Sequence, residues 1–265
     1  MNLKKVLGGK KEYLSLIQSI KGNLVTFNKF NGKKVFCIRH DIDRGLKHSL
    51  KLAKLEKENG IQSTYFVLHN KGGQVPNSFL KDKSKPAFDE PCPYFDYSED
   101  FALVCREIVS LGHTIGFHNN AITEYISSND SMRKIIERPL KFLRNYGIEV
   151  TLTSAHGDKE CYTKGYRNYE VWVEFNKSKN EGGTLAGYPK VSLSDYGLNH
   201  EVYFLPFTHY LTDSGCKWKG YIVNGKKHYE RIPQRYNLGK DVLKKFNGAN
   251  SGFLQILLHP CWWDI

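Results

Sequence analysis

The sequence predicts an α/β protein in which parallel strands alternate with helices. Short apolar runs of strand length recur along the chain, and several end in charged or polar residues. Amphipathic helical segments lie between these runs. The 265 residues are 40% hydrophobic, which is enough to bury a full core. This alternation is typical of βαβ units, and so of a barrel or a doubly wound sheet.

The first predicted unit lies near residue 40. Residues 35–38 form a short apolar run that predicts a buried strand. Residues 46–59 carry an apolar stripe at helical spacing, and Gly60 ends that helix. Residues 63–68 are rich in β-branched and aromatic types, which predicts the second strand.

The later elements follow the same pattern after one long interruption. Residues 69–97 contain a glycine pair and four prolines, which predicts a long irregular loop near the active site. The further predictions are helices over residues 98–111 and 131–146, strands over 114–118, 150–154, 202–205 and 253–258, and loops with short elements over 156–200.

The chain is predicted to form one domain over residues 1–265, because no Pro/Gly/Ser-rich linker divides it. Residues 1–30 are expected to be an N-terminal extension. They lack the apolar stretch of a signal peptide, and no apolar run approaches the roughly 20 residues that span a bilayer. A cytoplasmic protein without a transmembrane segment is therefore expected. The six cysteines lack zinc-finger spacing, so reduced thiols are expected.

The chain is strongly basic, with a formal net charge of +12. Such a balance suits an acidic or phosphate-linked partner. The lysines are spread along the chain and form no basic helix, which favours a general role in solubility. Specific binding to nucleic acid is not predicted.

Polar residues follow several of the predicted strands. They are Arg39-His40-Asp41-Ile42-Asp43, His69, His118, His156 and His259. The C-terminal ends of parallel strands meet at one rim, where the active sites of such folds lie. The sequence therefore predicts a functional site at this rim.

Asp41 and Asp43 lie two residues apart just beyond the first strand. In extended backbone their carboxylates point the same way, and two carboxylates held together tend to divide roles. One can hold a metal or a histidine while the other takes a proton. Alternatively, Asp43 caps the following helix, which explains one aspartate but not the pair.

At these residues the chain resembles the polysaccharide deacetylase superfamily, in its branch with an Arg-His-Asp-Val-Asp signature. Four motifs carry the resemblance in order: Arg-His-Asp-Ile-Asp at 39–43, Leu-Gly-His-Thr-Ile-Gly-Phe-His at 111–118, Thr-Asp-Ser-Gly-Cys-Lys-Trp at 212–218 and Leu-Leu-His-Pro at 257–260. They span nearly the whole chain.

The resemblance implies an incomplete or distorted (β/α) barrel of about seven parallel strands. It also implies a metal-dependent hydrolase that removes an acetyl group from an N-acetylated sugar of a polysaccharide or its precursor. Asp41 would be the general base and His259 the general acid. Asp43 and His118 would bind a divalent metal of the Zn²⁺ type, which activates water and polarises a carbonyl.

One position departs from the family pattern. Better-known members supply a second histidine four residues after the first, where this chain has Ile122. Open catalytic zinc sites usually have three protein ligands. His156 follows a predicted strand and is the candidate for the third ligand. His113 lies at the start of its strand, which favours a turn residue at the opposite rim.

A carbohydrate is the partner that the resemblance implies, and Arg39, His40, Asp213, Trp218 and Trp262 are the candidates to bind it. Tryptophan faces stack on sugar rings, and charged groups bind hydroxyls. Alternatively, the tryptophans belong to the core.

Three other functions stay open. A catalytically silent relative would bind carbohydrate without cleaving it, as Ile122 suggests. A nucleic-acid-binding protein has only the net charge in its favour. A glycosidase would use Asp41 with a second carboxylate that the sequence does not place.

Overall fold

A curled, parallel-rich sheet is the centre of the computed structural model. The structure describes residues 7–20, 22, 24–29, 35–43, 45–69, 97–157, 159–178, 180–224, 228–231 and 252–265. The predicted loop over residues 69–97 falls outside these ranges from residue 70 to residue 96. The mixed α/β architecture that the sequence predicts is confirmed, and the half-barrel shape is compatible with a distorted β/α barrel.

The strands and helices alternate along much of the chain. The strands are β1 (Gly8–Gly9), β2 (Val35–Ile42), β3 (Thr64–Leu68), β4 (Thr114–Asn119), β5 (Leu152–Ala155), β6 (His200–Glu201), β7 (His209–Thr212), β8 (Lys219–Asn224), β9 (His228–Arg231), β10 (Phe253–Leu258) and β11 (Trp263–Asp264). The α-helices are α1 (Lys10–Gln18), α2 (Leu46–Glu58), α3 (Glu99–Ser110), α4 (Ala121–Ser127), α5 (Met132–Asn145) and α6 (Lys159–Lys164).

Within the described ranges, the main sheet has nine strands in the order β6-β5-β4-β3-β2-β10-β7-β8-β9. The neighbours from β6 to β7 pair parallel, whereas β8 and β9 add to the β7 edge antiparallel. The strands from β6 to β7 are seven in parallel pairing, and the total strand count differs from the expected number of about seven because a hairpin extends one edge. A tight hairpin needs no crossover helix, so the βαβ pattern did not predict it.

One predicted strand is wrong. Residues 202–205 are apolar, but Val202–Phe204 form a 3₁₀ turn. The carboxylate of Glu201 accepts a hydrogen bond from the backbone N–H of Tyr203 and so favours the turn over a continued strand. The strand in this region is the two-residue β6.

Alternation along β2 separates two environments. Arg39 and Asp41 point to the same face of β2 as Val35 and Cys37. On that face, Val35 and Cys37 pack in the apolar cluster that also contains Phe66 of β3, and the Arg39 guanidinium lies over the Phe66 ring. His40 points to the other face and contacts Glu56 of α2 at 3.0 Å. Because successive side chains of a strand point to opposite faces, only the odd-numbered residues of this motif can reach one common site.

The N-terminal segment packs against the C-terminus. β1 pairs parallel with β11, and α1 places Tyr13 edge-on to Trp263 with ring centroids 5.1 Å apart. Tyr13 and Ile17 are fully buried. Residues 7–20 of the predicted extension are therefore part of the packed structure.

Glu56 is a fully buried carboxylate between α2 and the outer face of the sheet. It accepts hydrogen bonds from the hydroxyls of Tyr13, Ser63 and Tyr65 and contacts His40. Burial alone would raise the pKa of Glu56, but His40, followed by His113 and the hydrogen bond from Ser63, lowers it from 4.5 to about 2. A depressed carboxyl pKa stabilises the folded state above the unfolded-state pKa.

Glu56→Gln is expected to lower the free energy of unfolding by about 3 kcal/mol at neutral pH, as the shift of the pKa implies. This contribution is complete above pH 4.5 and is lost as the pH falls towards 2. Urea unfolding of wild type and variant between pH 3 and pH 7 measures it. Glu107→Gln, at an exposed ion pair with Lys54, is the control and should cost less than about 1 kcal/mol. A difference that does not shrink at low pH would contradict this account.

Candidate metal centre and surrounding cavity

Four of the predicted site residues meet at the C-terminal rim of the sheet. Asp43 follows β2, His118 lies near the end of β4, and His156 and His259 directly follow β5 and β10. His118 Nε2 lies 3.3 Å from Asp43 Oδ1, and His259 Nε2 lies 3.7 Å from Asp43 Oδ2. The parallel strand order brings these residues together from distant parts of the sequence.

Arg39 and Asp41 form a buried ion pair beside Asp43. Arg39 Nε donates to Asp41 Oδ1 at 2.7 Å, and Nη2 donates to Oδ2 at 2.6 Å. The guanidinium also lies over the ring of Tyr203 at 4.7 Å. This two-point pairing fixes the orientation of the Asp41 carboxylate.

His118 presents one nitrogen to two carboxylates. Its Nδ1 lies 2.7 Å from the carbonyl oxygen of Ser154, which can only accept a hydrogen bond, so Nδ1 carries the proton. In the neutral ring, Nε2 then has a free lone pair, and it lies 3.3 Å from oxygens of both Asp41 and Asp43. Acceptors that face one another in this way require a cation between them, either a proton or a metal ion.

Asp43, His118 and His156 fit a metal ion. One ligand atom from each lies within 4.8 Å of the others, and the two histidines are buried. Asp43 Oδ1 is buried and accepts no well-formed hydrogen bond from the residues that the structure describes. Two imidazoles and one carboxylate form a donor set typical of open zinc sites. Ile122 is fully buried in the apolar core and offers no ligand.

Hydrogen bonds to Asp213 fix the orientation of His259. Its Nδ1 lies 2.6 Å from Asp213 Oδ1, and its backbone N–H also donates to this carboxylate. Trp263 Nε1 donates to the second oxygen at 3.1 Å. These bonds leave His259 Nε2 directed towards Asp43.

The charges of the cluster determine the pKa values of its members. Burial opposes ionisation of Asp41, but Arg39 and His118 hold its pKa below the usual range. Burial likewise opposes ionisation of Asp43, whose pKa is lowered by the surrounding imidazoles. Burial would lower the pKa of His259, but Asp213 and then Asp43 and Asp41 raise it to about 9. His259 is therefore a cation at neutral pH and can donate a proton.

A cavity of about 560 Å³ opens above this cluster, a size common for ligand sites. Its aromatic lining consists of tyrosines rather than the expected tryptophans. They are Tyr162, Tyr169, Tyr203, Tyr210 and Tyr221. Arg167 and Lys219 are basic residues of the lining, and Arg167 pairs with the carboxylate of Glu181, which also lines the cavity.

Four residues predicted to bind substrate are not among the lining residues. His40 faces Glu56 on the opposite side of β2. Asp213 is fully buried behind His259. Trp262 is buried in the core cluster that also includes Trp263, and Trp218 packs against Trp263. The structure thus places these residues in supporting positions, whereas Arg39 does line the cavity.

The cavity tyrosines and Asn168 were not predicted from the sequence. Tyr210 and Thr212 lie on the same face of β7 and line the cavity. The alternation of side chains along that short strand is the one sequence pattern that could have indicated them. Tyr203 and Asn168 lie in 3₁₀ turns without periodic pattern, and nothing in the sequence marked them. His69, placed near the rim, accepts a hydrogen bond from the backbone N–H of Asn120 instead of facing the cavity.

The fold and site define an α/β protein with a candidate Asp-His-His metal centre at the strand ends of a curled sheet. No known protein-family model matches the chain, and no curated protein or solved structure matches it either. None of the helices in the described ranges is long and apolar enough to cross a membrane.

Proposed function

We propose that the protein is a metal-dependent hydrolase that removes an acetyl group from an N-acetylated sugar of a polysaccharide or its precursor. The observation that carries the proposal is the cluster of Asp43, His118 and His156, with Asp41 and His259 beside it in one cavity. The cluster supports a metal site, and the two flanking groups support proton transfer on either side of it.

A Zn²⁺ ion bound by these three residues would polarise the amide carbonyl and activate the attacking water. Asp41 takes the proton that this water loses, because its Oδ2 lies 3.3 Å from His118 Nε2, the nitrogen that would bind the ion. His259 gives a proton from Nε2 to the amine nitrogen as the C–N bond breaks. Acetate and the free amino sugar are the products, and the cycle closes when Asp41 releases its proton to solvent and His259 Nε2 takes one up from solvent.

The cavity supports a sugar as the substrate. Tyrosine rings provide flat apolar faces for stacking, and their hydroxyls can bind sugar hydroxyls. Lys219 is the lining charge that suits an acidic or phosphate-linked glycan, because the guanidinium of Arg167 is paired with the carboxylate of Glu181, which also lines the cavity. Tyr162 is 64% exposed, and Arg167 lies over one face of its ring at 4.2 Å, which leaves the other face for a longer glycan to stack on.

One observation favours a silent carbohydrate-binding protein as the second candidate. Both carboxylate oxygens of Asp41 accept hydrogen bonds from Arg39, and the pKa of Asp41 is below its usual range. A carboxylate held in this way is a weak base. The two candidates share the cavity and differ in whether acetate is released.

The test is acetate release from N-acetylated oligosaccharides and nucleotide-linked N-acetylhexosamines. The protein is stripped with a chelator and assayed before and after one equivalent of Zn²⁺ is added. We expect release only after zinc is restored. Saturable glycan binding by the zinc-loaded protein without acetate from any of these compounds would support the silent binder instead.

A further inference from the structure

Asn168 is a fully buried amide between α4 and His156. Its Oδ1 accepts hydrogen bonds from the backbone N–H groups of Ile122 and Thr123, at 3.0 and 3.1 Å. A backbone N–H group can only donate, so the oxygen of the Asn168 side chain must face α4. The orientation of this amide is therefore fixed by the backbone.

The opposite end of the same amide faces the metal cluster. Asn168 Nδ2 donates to the carbonyl oxygen of His156 at 2.9 Å and to Asn120 Oδ1 at 3.0 Å. Because an amide nitrogen only donates, the atom of Asn120 that faces it must be the oxygen. That oxygen lies 3.4 Å from His156 Nδ1. The tautomer of His156 that can donate to this oxygen is the one with its proton on Nδ1.

We propose that Asn168 and Asn120 form an amide relay that holds His156 in the Nδ1-protonated tautomer and so presents Nε2 as the metal ligand. Both are positioning residues, and the inference rests on the proposed metal site. His118 reaches the same tautomer through one backbone carbonyl, that of Ser154. His156 lies beyond the end of β5 and depends on two side chains instead. Partners of this kind orient metal-binding imidazoles.

The relay gives the site a third ligand without the family's second histidine. Asn168 Oδ1 binds the first turn of α4, the helix that carries Ile122. The backbone of this segment, which offers no metal ligand, thus fixes the orientation of the Asn168 amide. Through Asn120, that orientation determines the acceptor that faces His156 Nδ1. The parallel pairing of β4 and β5 brings His156 beside His118, and the relay orients its ring towards the same ion.

Two variants of Asn120 test the relay. Asn120→Leu keeps the size of the side chain but removes the acceptor, and Asn120→Asp keeps an acceptor for His156 Nδ1 and Asn168 Nδ2. Zn²⁺ affinity is measured on the full chain by competition with a chromophoric chelator. We expect Asn120→Leu to bind Zn²⁺ about 10–100-fold more weakly, as is usual for loss of such a partner. Asn120→Asp should bind at least as tightly as wild type.

Asn168→Asp adds a second measurement. It keeps the oxygen for α4 but places an acceptor against Asn120 Oδ1 and the His156 carbonyl. We expect weaker Zn²⁺ binding and an altered visible absorption spectrum of the Co²⁺-loaded protein, which reports ligand geometry. Leu140→Ala, in the core side of α5, is the control for lost stability and should change neither property.

The outcomes separate the relay from the metal site itself. If wild type and all variants bind Zn²⁺ equally and give the same Co²⁺ spectrum, the relay is overturned and the metal site stands. Equal losses of Zn²⁺ affinity in Asn120→Leu and Asn120→Asp also overturn the relay. Wild type that binds no metal contradicts the proposed function, and the relay with it. If Asn168→Asp does not fold, the Asn120 pair decides.

Discussion

His118→Ala is expected to abolish stoichiometric zinc binding and, with it, acetate release. His118 Nε2 faces oxygens of both Asp41 and Asp43 at 3.3 Å, so its loss removes the central nitrogen of the cluster. The loss of affinity should exceed the roughly 10–100-fold that removal of an outer hydrogen-bond partner costs. Elemental analysis of the purified protein and a Zn²⁺ titration measure the change.

His113→Ala is the matched control for this prediction. His113 is also buried and directly precedes β4, but it contacts Ser63 and the carbonyl oxygen of Ala53 on the helix side of the sheet. This variant should lose stability and keep its zinc. Zinc retained at one equivalent in His118→Ala would remove His118 from the site.

Asp41→Asn is expected to slow acetate release by about 10²–10⁴-fold, the usual contribution of a general base. An amide cannot take the proton from water. Since Asp41 is not among the three ligands, the variant should still bind zinc. Steady-state rates at saturating sugar, together with zinc content, separate the two properties.

The same substitution leaves Arg39 buried without its partner, which costs about 3–5 kcal/mol of stability. The assays therefore need a temperature well below the unfolding transition of the variant. Arg39→Met breaks the same ion pair but keeps the Asp41 carboxylate, so it is the control and should retain more activity. If Asp41→Asn released acetate at the wild-type rate, Asp41 would not be the base.

Much of the fold could be predicted from local pattern. The apolar runs that became β2, β3, β4 and β10 are buried on both faces, as parallel strands covered by helices usually are. The β8–β9 hairpin and the turn at Val202–Phe204 could not be predicted in this way. Hairpin pairing and the capping by Glu201 depend on contacts that periodicity does not report.

The rim residues could be predicted because parallel strands end together. Asp43, His118, His156 and His259 each lie at or just beyond the end of a strand, so their convergence follows from the topology. The position of His40 on the opposite face of β2 could have been predicted, because successive side chains of a strand point to opposite faces and His40 lies between Arg39 and Asp41. The positions of Trp218 and Trp262 depend on tertiary packing around Trp263, which adjacency in sequence does not show.

The most direct test of the metal centre is anomalous diffraction at the zinc edge from crystals grown with Zn²⁺. We predict one strong peak about 2.0–2.2 Å from a carboxylate oxygen of Asp43 and from Nε2 of both His118 and His156. A zinc ion bound elsewhere, or a cavity that holds none while His118 Nε2 bonds directly to a carboxylate, would contradict the account.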